Sequence, residues 1–385
     1  MEKVSCRQGL IVNDFHMRVL IIIHSFDSGI GIFLKGLLEN FHDPKYFFTV
    51  VTLSENKWEA AKAVADTGVP VIEMKKFRNK VYQSMYRKQT IARMLKNSRW
   101  DVIYAHSSTV VMFPYLKMAK KYVNTRIMHS HARDFEGKYY HSRKIYHKII
   151  KQFYPCVTTH NLACSEEAAA WMYPKSIIKN RKYQIIPNCI DVAAYKFERH
   201  TRERIRERYG LDGKFVIGHV GRFEKVKNHK FLVDVFAEIC KKTDCAVLLL
   251  AGDGVLKASI EDYVREKRVA EKVLFLGKID HANDIYQAID FLMLPSEKEG
   301  FPIVLIEAQS SGIHCLVSDT VPDLVNCTGL VDFLSLNAPA GEWADHVMRS
   351  LTYDRRDRSS DVKKAGYDVS CLEKLYKGIF ERDIP

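Results

Sequence analysis

The chain has 385 residues, 47% of them hydrophobic and 27% charged, enough for two globular domains with separate cores and too apolar for a disordered chain. No apolar run reaches the roughly 18–20 residues that a membrane-spanning helix requires. The net charge of +13 is uneven: residues 1–190 hold 30 basic and 14 acidic side chains, a surplus of +16, while residues 191–385 sum to −3. A basic first half is either a well-solvated surface or a face for an anionic partner, such as a membrane, a phosphorylated acceptor or nucleic acid.

Residues 1–16 are polar and mixed in charge and do not read as a secretory signal. They are taken as an N-terminal extension, with Met17 opening the fold. Val19–Ile23 is an apolar run of strand length, followed by a glycine-containing turn, Asp27-Ser-Gly-Ile-Gly31, and a helical stretch from Ile32 to Phe41. Strand and helix then alternate: Phe47–Leu53 strand, Trp58–Thr67 helix, Val69–Met74 strand, Val81–Asn97 helix, Asp101–Ala105 strand, Val110–Tyr122 helix, Arg126–Ser130 strand. Such alternation predicts parallel strands joined by crossover helices, with ligands held beyond the carboxyl ends of the strands. A turn at Pro187-Asn188 and a charged helix, Arg202 to Tyr209, mark a boundary. The rhythm then restarts: Phe215–Val220 strand, Phe231–Lys241 helix, Ala246–Ala251 strand, Ile260–Arg268 helix, and strands at Val273–Leu276, Phe291–Leu294 and His314–Val317.

Two segments carry chemistry. In Gly218-His-Val-Gly-Arg-Phe-Glu-Lys-Val-Lys-Asn-His229, glycines between strand and helix let the backbone approach a ligand. Arg222 and Lys227 place two cations where a diphosphate would lie. In Leu294-Pro-Ser-Glu-Lys-Glu-Gly-Phe-Pro-Ile-Val-Leu-Ile-Glu307, Glu299 lies in a loop just after a strand. Glu307 lies one to two turns into the next helix, on the face turned back to the loop. Such carboxylates can bind sugar or ribose hydroxyls, act as an acid/base pair, or be plain surface groups. His129 and His131 share one face of a strand, and His106 ends another. Zinc is not expected there, because no third and fourth ligand occurs at close spacing. No Asp-x-Asp triplet occurs in the chain. The nine cysteines, without a Cys-x-x-Cys pair, read as reduced thiols of a cytosolic protein. The cation- and aromatic-rich stretches Lys75–Lys80, Arg87-Lys88 and Lys117–Lys121 belong to no recognised nucleic-acid module, and nucleic acid is not the expected partner.

Taken in order, Gly-Arg-x4-Lys-Asn, Ala251-Gly-Asp-Gly254, Phe275-Leu-Gly277 and Glu-Gly-Phe-Pro with its second glutamate resemble the retaining glycosyltransferases of family four, and among them the bacterial capsular and exopolysaccharide enzymes. Ala163-Cys-Ser-Glu-Glu167, Ile186-Pro-Asn-Cys-Ile-Asp191, Asp101–His106 and Met128-His-Ser-His131 extend the resemblance to roughly residues 17–380.

The resemblance implies an α/β fold of GT-B type, with two Rossmann-like domains facing a central cleft. The acceptor domain would span 17–190 and the donor domain 191–370, and residues 371–385 would hold a helix packing back on the first domain. The implied reaction moves a sugar, with retention, from a nucleoside-diphosphate sugar, most simply a UDP-sugar, to a saccharide or lipid-linked saccharide at the cytoplasmic face of a membrane. No cofactor or metal is implied; Arg222, Lys227 and helix dipoles would neutralise the leaving group. By resemblance, Glu299 contacts the donor sugar, Glu307 holds the ribose, and Phe301, Pro302, Ile303 and Val304 form the loop whose amides meet sugar and phosphate. Gly277 lies in a matching turn, Gly29 and Gly31 fall where the first glycine turn faces the diphosphate, and His131 stands near the reacting centre. Two departures stand out. The first loop reads Gly-Ile-Gly-Ile and lacks the relatives' glutamate, and Cys189 replaces the glycine of their Pro-Asn-Gly-Ile-Asp. Two rival readings are a GT-B epimerase or phosphorylase-like enzyme, and a catalytically silent subunit partnering an active transferase.

Overall fold

The computed structural model describes residues 16–26, 29–54, 58–131, 140–279 and 282–381. Two parallel sheets organise the chain. The first contains β1 (Met17–Ile23), β2 (Tyr46–Thr52), β3 (Val71–Glu73), β4 (Val102–Ser107), β5 (Thr125–Ser130), β6 (His160–Ala163) and β7 (Gln184–Ile185), in the order β3-β2-β1-β4-β5-β6-β7. The second contains β8 (Phe215–Val220), β9 (Ala246–Ala251), β10 (Val273–Gly277), β11 (Phe291–Leu294), β12 (His314–Ser318) and β13 (Val331–Leu334), in the order β10-β9-β8-β11-β12-β13. Central strands covered on both faces must be apolar throughout, and in β1 all residues but Arg18 are buried. In both sheets the order reverses beside the first strand, which opens a crevice at the carboxyl ends.

Several expectations change. The helix expected to start at Ile32 runs Gly29–Glu39, so Gly29 and Gly31 lie in its first turn. At Gly31 a Cβ would lie 2.1 Å from the Phe26 carbonyl oxygen, so the chain packs there at glycine distance. Asp27 and Ser28 fall outside the described residues, as does the N-terminal extension except His16. The charged stretch at the boundary is a helix, Arg199–Arg208, bound to the second sheet. Asp290 accepts from Arg202, from Arg206 at 3.0 Å and from the Val216 amide at 2.7 Å, so the arginines fix this helix to β8 and β11.

The chain crosses between the sheets twice, and the crossings touch. Ile190 bridges Asp368 in parallel, the Ile190 amide donates to Tyr367 O (2.9 Å), and the Val369 amide donates to Ile190 O (2.9 Å). The helix Leu372–Phe380 then packs on the first sheet. Tyr376 Oη meets Tyr104 Oη at 2.5 Å, Lys377 pairs with Asp43 at 2.7 Å, and Phe380 is fully buried in the core of that sheet.

Candidate active site

Three strand-end loops of the second sheet interlock. The Gly221 amide after β8 donates to Ala251 O at 2.9 Å, and the Gly252 amide after β9 donates to Gly277 O at 2.8 Å. Gly252 has φ +146°, and a Cβ there would stand 1.9 Å from Gly221 O, so only glycine lets the loops meet. Gly277, at φ +67°, closes β10 against the same loop. The next turn, Lys225–Lys227, ends at Asn228 in the left-handed region (φ 53°), from which the helix His229–Cys240 departs. The Glu297 amide donates to Val226 O at 2.8 Å, which ties the loop after β11 to the loop after β8.

That tie brings Lys227 and Glu299 together. Lys227 Nζ lies 2.6 Å from Glu299 Oε1, and the two side chains are only 17% and 12% exposed. Arg222 behaves differently: it is 73% exposed and pairs with Glu224 at 2.7 Å. Under the Lys227 turn, His219 Nδ1 donates to Met293 O at 2.9 Å and His229 stacks on Phe223. Burial, with Lys227 adding to it, lowers the His219 pKa to about 4 and that of His229 to about 2, so both rings are neutral.

Glu299 leads into the helix Ile303–Ser310, whose N-cap is Pro302. No side chain caps this end, and the opening amides of a helix have no partner within it, which leaves a donor-rich terminus suited to an anion. Phe301 is buried beneath the turn with its ring 5.5 Å from that of Tyr367, while Ile303 and Val304 are half-buried. Glu307 is buried in the same helix. Its Oε1 accepts from Tyr195 Oη at 2.9 Å and its Oε2 from Tyr286 Oη at 2.6 Å. Burial raises its pKa, and the two hydroxyls oppose that rise. The two glutamates thus have separate partners, one a cation and the other a pair of hydroxyls. Sequence reading missed Tyr195 and Tyr286; nothing in the spacing of either tyrosine ties it to Glu307.

In the first sheet, β4 and β5 pair in register His106↔His129. This supplies the third histidine that spacing along the chain did not reveal, and it corrects the expectation that no third ligand stands near His129 and His131. One ring nitrogen from each of His106, His129 and His131 lies within 4.8 Å of those of the other two. His106 Nδ1 and His131 Nε2 are 2.9 Å apart, and His129 Nδ1 is 2.7 Å from Tyr104 Oη. Phe33 packs against all three rings. Burial drives the pKa values of His106 and His129 well below the ordinary imidazole range. It brings that of His131 to about 3, against a partial opposing pull from Asn188. At neutral pH His131 is therefore an uncharged hydrogen-bonding group.

Two parallel Rossmann-like domains, each with its loops gathered at the carboxyl ends of the strands, make up the GT-B fold. The solved structure of Anabaena Alr3699/HepE in complex with UDP and glucose has this fold, with a TM-score of 0.76 at 17% identity over 95% of this chain and 100% of that one. The profile for Glycosyltransferase Family 4 matches residues 28–194, and that for Glycosyl transferases group 1 matches residues 201–326. EpsF of Bacillus subtilis (strain 168), named as a glycosyltransferase, is 29% identical over 297 residues, covering 75% of this chain and 77% of its own. The UDP-Gal:alpha-D-GlcNAc-diphosphoundecaprenol alpha-1,3-galactosyltransferase of Escherichia coli is 25% identical over 234 residues, 60% of each chain. The chain belongs to the family-four glycosyltransferases.

Proposed function

We propose that the chain transfers a sugar, with retention, from a UDP-sugar to a lipid-linked saccharide during synthesis of a surface polysaccharide. The Lys227–Glu299 pair carries this reading. An ammonium and a carboxylate held together beside an uncapped helix terminus can separate onto the two halves of one ligand. Lys227 and the Ile303–Ser310 terminus meet the diphosphate, and Glu299 accepts from sugar hydroxyls. In the reaction the bond from the anomeric carbon to the diphosphate oxygen breaks on the face where the acceptor bond forms. The acceptor's hydroxyl proton passes to the leaving phosphate, whose charge Lys227 and the helix amides stabilise. His131, neutral at the end of β5, positions the sugar from the first domain. The E. coli and HepE matches, named for a UDP-sugar, a lipid diphosphate acceptor and bound UDP, support the choice of donor and acceptor.

The same reading places the protein on the inner face of a membrane. The helix Tyr140–Ile150 and the turn after it expose Ile145, Tyr146, Ile149 and Phe153, each at least half exposed, among Arg143, Lys148 and Lys151. The helix Lys80–Asn97 exposes Val81, Tyr82 and Met85 beside Lys80 and Lys88. Apolar side chains ringed by cations suit an anionic lipid surface. Among the described residues no helix is long and apolar enough to cross a membrane.

Thermal stabilisation by a panel of nucleoside diphosphates and their sugars tests the donor site. A UDP-sugar is expected to stabilise the wild type and to have no effect on Glu299→Ala or Lys227→Ala. If no nucleoside diphosphate or its sugar stabilises the protein at millimolar concentration, the reading fails. The anomeric configuration of the product, read by NMR, tests retention. Flotation with anionic vesicles at low salt, weakened by Ile145→Asp/Ile149→Asp, tests the surface.

A further inference from the structure

We propose that His106, His129 and His131 form a binding site for a divalent transition-metal ion, zinc being the best match. The proposal goes beyond the transferase reading; His131 belongs to both, so the test reads metal uptake and not transfer. One ring nitrogen from each histidine lies within 4.8 Å of the other two. Zinc–imidazole bonds of about 2.0–2.1 Å place two ligands of a tetrahedral ion about 3.3 Å apart. The His106 Nδ1–His131 Nε2 pair, at 2.9 Å, has only to open by a few tenths of an ångström, and the His129 ring closes on them from within 4.8 Å.

The polar groups around the cluster point the same way. His106 Nε2 is buried without a hydrogen-bond partner, while the Ile186 backbone acts on His129 and Asn188 on His131. With His129 Nδ1 held by Tyr104, the nitrogen His129 turns to an ion between His106 Nδ1 and His131 Nε2 is its Nε2. Oxygens suited to orienting ligating imidazoles are also present. Tyr104 Oη sits on His129 Nδ1 and is itself held by Tyr376. Buried Asn188 acts on His131 in the same way. Three imidazoles with no carboxylate suit zinc, copper or nickel and not magnesium or calcium. His106 and His129 are fully buried, whereas His131 is half-buried at the carboxyl end of the sheet.

The test is metal uptake by the full-length protein stripped with chelator. Cobalt is the spectroscopic probe, and zinc is measured by competition with a chromophoric chelator. A second cluster supplies the control: Asp332 Oδ2 lies 3.0 Å from His314 Nε2 and 2.9 Å from His346 Nε2, on the other domain. The wild type and His346→Ala are expected to take up about one equivalent and to show the visible bands of tetrahedral cobalt. His106→Asn is expected to lose both. Should His106→Asn fail to fold, Tyr104→Phe, which keeps every ligand, is expected to weaken zinc binding about 10–100-fold. No uptake by the wild type overturns the proposal, as does uptake that survives both His106→Asn and Tyr104→Phe or is lost in His346→Ala.

Discussion

Lowering the pH from 7.5 to 5.5 is expected to destabilise both domains, the first more than the second, because each encloses histidines that the fold keeps neutral. His106 and His129 in the first domain, and His219 and His229 in the second, are at most 2% exposed, and burial lowers the pKa of each and of His131 beside the first two. A base whose folded pKa lies below its unfolded one binds its proton preferentially in the unfolded chain. The stability it permits is therefore complete above the unfolded pKa of about 6.5 and is lost as pH falls through and below that value. At pH 5.5 a histidine neutral in the fold shifts the balance by about 1.4 kcal/mol, so three remove about 4 kcal/mol from the first domain and two about 3 kcal/mol from the second. Against a typical stability of about 5–15 kcal/mol that is a large fraction. Glu307 acts in the opposite sense in the second domain: its raised pKa favours the fold as pH falls toward the carboxylate range, so the first domain gives the cleaner reading. Urea denaturation at both pH values, followed by circular dichroism, measures the shift. His219→Asn, which keeps a donor for Met293 O, is expected to recover about 1.4 kcal/mol of the second domain's loss. A midpoint that does not move between pH 7.5 and 5.5, or one that moves equally in His219→Asn, refutes the reasoning.

Two further outcomes follow from the donor loops. Lys227→Met leaves Glu299 shielded without its cation and is expected to cost about 1–3 kcal/mol in the free protein; adding Glu299→Gln restores most of that, yet donor binding stays lost in both variants. Recovery of donor-induced stabilisation by the double variant would show that the pair is structural only. Gly252→Ala forces a Cβ toward Gly221 O at a φ that side chains rarely adopt, and is expected to cost about 2–4 kcal/mol in urea denaturation; a loss below 1 kcal/mol would mean the loops are not locked together.

The long apolar strands were legible because a parallel sheet covered on both faces demands continuous Val, Leu and Ile, as in β1 and β9. Short or polar elements were not. β6 begins His160-Asn161, β7 has two residues, and the helix Tyr140–Ile150 shows an exposed apolar face instead of a buried one. At the site, Lys227 and Glu299 could each be singled out from local loop chemistry, but their pairing spans 72 positions and depends on the Glu297–Val226 hydrogen bond. The histidine cluster was half legible. His129 and His131 share a strand face by period alone, whereas His106 joins them only through the β4–β5 register, which depends on the length and packing of the intervening helix.

The contact between the two crossings bears on how the domains move. Because Ile190 and Tyr367–Val369 are hydrogen bonded to each other, the two connections must bend as one unit, and any opening or closing of the cleft is concentrated there. The donor loop reaches this unit directly. Phe301 packs on Tyr367, and Tyr367 Oη donates to Leu324 O at 2.9 Å, so the turn that would receive the diphosphate and the hinge share one aromatic contact. Tyr367→Ala removes that contact without touching Lys227 or Glu299. UDP binding, measured by calorimetry, is expected to change less than threefold, while transfer slows at least tenfold and hydrolysis of the donor by water rises relative to transfer, because closure no longer follows occupancy. If binding and transfer fall together in Tyr367→Ala, the residue only supports the donor loop, and the hinge is set by the backbone bridge between Ile190 and Asp368 alone.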